Sequence, residues 1–96
     1  MKYFDLIIND YKVFLQFLKA KYPVFHNSNF FFRELQFGIS KFLEKKGIKI
    51  SNGEAEKLAL EVGNFLEHEG IFIRINSIGW RINYKEFVTT VSGDPL

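Results

Sequence analysis

Apolar residues recur every three or four positions through most of this chain, and near the end the period changes to two. Phe4, Ile7, Ile8, Tyr11, Phe14, Leu15 and Leu18 follow one helical face, so a first helix is predicted over about Tyr3–Lys21, ending before Pro23. The next breaker region, Tyr22 to Asn29, contains Asn27-Ser28-Asn29, a set of helix-capping residue types. A second helix is predicted over about Phe30–Lys46, with Phe31/Phe32, Leu35, Ile39, Phe42 and Leu43 as its core stripe and Gly47 as its stop. From Ser51 to Phe87 the chain reads as a capped helix, a glycine stop and a hairpin. Ser51 and Glu54 have capping-box spacing, and Ala55, Leu58, Ala59, Val62, Phe65 and Leu66 share one face. Beyond Gly70, Ile71, Ile73 and Ile75 alternate with Phe72, Arg74 and Asn76. After the turn at Asn76-Ser77-Ile78-Gly79, Trp80, Ile82 and Tyr84 alternate with Arg81, Asn83 and Lys85.

Strict alternation assigns the isoleucines and Trp80 to the core. It assigns Arg74, Arg81 and Lys85, with Phe72, to one solvent face of the hairpin. Two apolar sets fall outside the main stripes. Leu6, Val13 and Phe17 form a second stripe on the first helix, either covered by the tail or hairpin or meeting a partner or second subunit. Phe30 and Phe37 leave the second helix on another side, flanked by Arg33 and Lys41. That interleaving suits stacking of single-strand bases with phosphates on the cations, or else packing against the first helix.

The order helix, helix, helix, hairpin resembles the winged helix-turn-helix superfamily over roughly residues 3–87, with FLEHEGIFIRINSIGWRIN as the passage from third helix to wing. The resemblance implies an α+β fold: a three-helix winged helix-turn-helix domain with a C-terminal β-hairpin wing. It also implies a brief strand at Gly47-Ile48-Lys49-Ile50 beside that hairpin. Residues 1–88 are expected to form the single domain, and 89–96, with turn composition, a flexible tail. The stretch FLEKKGIKISNGEAEKLALEVGNFLEHEGIFIRI faintly resembles DEP domains, winged-helix relatives that dock on partners or membranes, although the hairpin between their early helices is not apparent here.

Charge sharpens the functional expectation. The net charge is +2, but residues 1–50 carry +5, residues 51–70 carry −4 and residues 71–96 carry +1. The third helix, placed by the resemblance where a recognition helix lies, thus presents Glu54, Glu56, Glu61 and Glu67, which phosphates repel. A basic wing of Arg74, Arg81 and Lys85 with Phe72, and Lys45, Lys46 and Lys49 nearby, is the expected nucleic-acid surface, for single-stranded or duplex DNA. The alternative is a protein-interaction module or homodimer using the acidic helix and the apolar set Leu6, Val13, Phe17, Phe30 and Phe37. A hydrophobic fraction of 47% with 12 Phe in 96 residues exceeds what one small core hides, so some rings are expected at the surface.

The 0 Cys remove disulfides, thiolate metal sites and a cysteine nucleophile. His26 and His68 stand apart, no glycine-rich phosphate loop or nucleophile elbow occurs, and catalysis, a metal, a cofactor and a small-molecule substrate are not expected. No leader or membrane span is apparent, so a cytoplasmic setting is expected. The Lys-, Asn-, Ile- and Phe-rich usage is similar in style to AT-rich bacterial, phage or mobile-element genomes, where such a protein would serve as a replication or regulatory accessory.

Overall fold

The structure, a computed structural model, describes residues 2–87; Val88 and the tail expected at 89–96 lie outside the described residues. Among these, the chain is mixed α+β. Four helices, α1 (Tyr3–Ile8), α2 (Tyr11–Lys21), α3 (Phe32–Lys45) and α4 (Asn52–His68), accompany strands β1 (Asn29–Phe31), β2 (Phe72–Asn76) and β3 (Gly79–Ile82) and a short 3₁₀ turn at Lys85–Phe87. The three strands make one antiparallel sheet in the order β1-β3-β2.

The first predicted helix is two. Asn9 and Asp10 interrupt it, and Asp10 leaves helical geometry at φ −137° and ψ 58° while its carbonyl accepts Val13 N–H at 3.0 Å to start α2. Short polar side chains compete with the helical ladder, and two in succession suffice here. The break puts Leu6 on α1, apart from Val13 and Phe17 on α2.

The second predicted helix begins two residues late, because Asn29–Phe31 is strand. Phe30 lies opposite Trp80 in the β1–β3 ladder and is 1% exposed, so it is a core residue and no docking surface. The Phe31 N–H is then taken by Glu34 Oε1 at 3.0 Å, which starts α3. The third predicted helix forms as α4, with both halves of its capping box closed: Glu54 N–H to Ser51 Oγ at 3.1 Å and Ser51 N–H to Glu54 Oε1 at 3.2 Å.

One local device accounts for two further corrections. Gly47 and Gly70 both have positive φ, 81° and 78°, just past the ends of α3 and α4. At each end the bonds are those of a Schellman motif. Gly47 N–H meets Glu44 O and Ile48 N–H meets Leu43 O; Gly70 N–H meets Glu67 O and Ile71 N–H meets Leu66 O. Ile48 is therefore consumed by a helix cap, and residues 47–50 form no strand; β1 takes the place beside the hairpin. Ile71 is likewise buried as a cap residue, not as the first inward position of a strand. The alternation of β2 starts afresh at Phe72, which is 2% exposed, and Ile73 and Ile75 turn outward.

The core joins helices and sheet. Phe14 and Phe42 meet edge-on between α2 and α3 at 5.1 Å, while Phe72 stacks with Trp80 at 4.8 Å and Phe30 lies 5.8 Å from Phe72. Each such side chain removed from water contributes about 1.5–3 kcal/mol. Trp80 is the packing anchor its alternation predicts. It sits so close to α4 that a Cβ at Gly63 would meet its Cζ2 at 2.7 Å.

Candidate nucleic-acid interface

The expected basic wing does not assemble. Cross-strand partners share a face, and Arg74 lies opposite Trp80 while Arg81 lies opposite Ile73. The two arginines therefore point to opposite sides of the hairpin. Arg74 folds over the Trp80 ring at 5.4 Å, and both its Nε and Nη2 donate to Glu67 Oε2, at 3.0 and 2.6 Å. Its Nη1 donates to the Asn76 carbonyl at 3.2 Å. Arg81, half-buried, donates to Asn27 Oδ1 at 2.8 Å. Lys85 belongs to the 3₁₀ turn, off the strands, and Phe72 is in the core. Where the alternation promised cations, the hairpin exposes Ile73, Ile75 and Ile78.

A basic aromatic surface forms instead on α3 and its boundary with α2. Arg33, Phe37, Lys41 and Lys45 recur at four-residue spacing, one stripe along the outer side of α3 about 18 Å long at helical rise. Phe37 is 49% exposed, and the Arg33 guanidinium stands 6.0 Å from its ring centroid. At the N-terminal end of the stripe, Phe31 and Arg33 share a shallow hollow with Ile78. Helical spacing assigns Phe31 to the core stripe, but as the last residue of β1 it turns outward, opposite Gly79.

At the C-terminal end, α2 and α3 enclose an open groove lined by Val13, Phe17, Ala20, Phe42, Lys45 and Lys46. Lys45 and Lys21 approach the Phe17 ring at 5.8 and 5.7 Å, and Lys46 approaches Phe42 at 5.1 Å. Two residue sets that the sequence kept separate, cations for nucleic acid and apolar residues for a partner, thus occupy one groove. Lys21 was missed by the spacing argument; its only signal was its place in the last turn of a helix packed against the lysine-rich end of another.

The electrostatics of this surface are one-sided. Lys41 has Glu44 at 3.5 Å, an exposed pair that contributes little. Among the described residues Lys21, Arg33, Lys45 and Lys46 make no ion pair. Lys49 lines a separate shallow hollow with Lys41 and Ile50. The carboxylates collect on α4, where Glu54, Glu56 and Glu61 are exposed, whereas Glu67 is drawn into the Arg74 and Trp80 contacts.

Among the described residues no cluster of His, Asp and Glu has metal-holding geometry, and no helix is long and apolar enough to cross a membrane. The sequence gives no significant match to a family model, to a curated protein or to a solved structure.

Proposed function

We propose that this chain is a small non-catalytic module of the winged helix-turn-helix kind that binds single-stranded nucleic acid across the outer side of α3. The observation that carries the reading is Phe37, a half-exposed ring with the Arg33 guanidinium against it and Lys41 and Lys45 following at four-residue spacing. Bases of any sequence stack on such rings while cations one turn away meet the phosphates. The acidic α4 speaks against insertion of that helix into a major groove, where phosphates flank it on both sides. Support for the architecture comes from the third and fourth helices leading into an antiparallel hairpin through a glycine cap, with a short strand beside it.

A second reading, docking on a protein without nucleic acid, is favoured by the apolar outer side of the hairpin at Ile73, Ile75 and Ile78. Fluorescence anisotropy with labelled single-stranded and duplex oligonucleotides at two salt concentrations separates the two. Salt-sensitive binding with preference for the single strand is expected. Preference for duplex overturns the choice of target, and no binding at low salt leaves the protein partner as the function.

A further inference from the structure

β2 is an edge strand, and among the described residues nothing pairs with its outer side. Asn83 N–H donates to the Ile71 carbonyl at 2.7 Å, so Ile71 faces β3, and two residues on Ile73 does the same opposite Arg81. By antiparallel alternation the N–H and C=O groups of Phe72 and Arg74 point at the open edge. Edges of this kind are usually guarded by an outward charge. Here the one charge in β2, Arg74, is turned under the sheet and neutralised by Glu67.

The surroundings of that edge are apolar on both sides. Ile73 and Ile75 stand on the outer face. Beneath the sheet, Leu60 lies two turns before Glu67 on the stripe of α4 that reaches β2, and it is 53% exposed. Asn64 completes that stripe. Glu56, one turn before Leu60, is its remaining carboxylate, while Lys57 lies around the helix with Glu54 and Glu61, in the groove with Lys2 and Tyr3.

We propose that a second copy of this chain pairs with β2 edge to edge, in antiparallel two-fold fashion about Ile73. Phe72 of each copy then exchanges both backbone hydrogen bonds with Arg74 of the other, and the three-stranded sheets join as one. The two Ile73 side chains meet at a non-hydrogen-bonded position, where Cα atoms lie about 4.5 Å apart. The choice of occupant rests on self-complementarity: each edge offers the same free groups, Ile73 and Ile75 above and Leu60 below, with the charge of Arg74 already met by Glu67. The inference is independent of the nucleic-acid reading, because the outer side of α3 takes no part in it.

The chain has 0 Cys, so a single introduced cysteine reports the geometry. A Cα separation of about 4.5 Å lies within disulfide range. In the full chain, Ile73→Cys is expected to oxidise to a covalent dimer at least about tenfold faster than Ile78→Cys at the hairpin tip, since association raises the effective thiol concentration. Sedimentation equilibrium of the unmodified protein is expected to show a concentration-dependent dimer, and Ile73→Lys to return it to monomer with unchanged far-UV circular dichroism. A monomer throughout, a dimer that Ile73→Lys leaves intact, or equal oxidation of the two cysteine variants overturns the proposal.

Discussion

Glu67 accepts the indole N–H of Trp80 at 2.7 Å on the same oxygen that holds the Arg74 guanidinium. One carboxylate on α4 thereby satisfies the polar atom of the largest buried side chain and removes a cation from the solvent face of the hairpin. The contact explains why a strand that reads as a basic wing is not one.

Glu67→Ala leaves the Trp80 N–H without an acceptor in a part-buried place, and a loss of about 1–3 kcal/mol in unfolding free energy is expected. The chain has 1 Trp, so denaturant unfolding followed by tryptophan fluorescence reads the site directly. Glu67→Gln retains an acceptor and is expected to cost less than the alanine variant. Equal stability of Glu67→Ala and the unmodified protein would sink the claim that this bond holds α4 to the sheet.

Gly63→Ala tests how closely α4 approaches Trp80. Alanine favours a helix over glycine by about 1 kcal/mol, but overpacking costs about 1–3 kcal/mol. The added Cβ would sit 2.7 Å from Trp80 Cζ2, and a ring fully buried between α4 and Phe72 cannot swing aside. Net destabilisation is expected in thermal unfolding, with a changed tryptophan emission maximum. A stabilised variant would mean that helix and sheet separate easily.

The α3 surface and the hairpin arginines give opposite expectations. Phe37→Ala is expected to weaken single-strand binding by about 1–3 kcal/mol, roughly 5- to 150-fold, with little change in stability because the ring is half-exposed. Lys41→Ala and Lys45→Ala should each reduce the slope of log K against log salt by about 0.7. Arg74→Ala is expected to lower stability and leave binding in place. The reverse pattern in anisotropy titrations would restore the wing as the interface.

Two tyrosines carry an alkaline prediction. Burial, then the hydrogen bond to Glu86 and its charge, and last Tyr11, push Tyr84 up to about 12, from an ordinary value of 10.0. Burial, and secondarily Glu34, raise Tyr22 as well. A phenol whose folded value is raised holds its proton after the unfolded chain has lost it. Its contribution to stability is therefore complete below pH 10 and falls away between about 10 and 12. Unfolding temperatures measured across that window should drop, and Tyr84→Phe should drop less. An equal drop in both proteins would rule out Tyr84 as a source.

Helix periods, both glycine stops, the Ser51–Glu54 cap and the hairpin turn were legible along the chain, because each depends on residues within about one helical turn. Phe37 with Arg33 and Lys41 flanking it was legible for the same reason, since four-residue spacing on a helix is a statement about a surface, whereas Lys45 was grouped with the cations beside the wing. Where Asn9-Asp10 and Asn29–Phe31 interrupted a smooth helical pattern, the pattern alone pointed the wrong way, and the bonds to Asp10 and the ladder to Trp80 decided.

Tertiary structure alone settled which side of β2 is buried. A strand has two faces one residue apart, and the choice fell to Phe72 once the α4 cap had absorbed Ile71 and Trp80 offered a ring to stack on. That single step turned Ile73 and Ile75 outward, sent Arg74 to Glu67, and moved the surface cations of interest from the hairpin to α3. Local spacing determines which elements form; the partners that neutralise a charge or bury a ring come from other elements, and only folding brings them within reach.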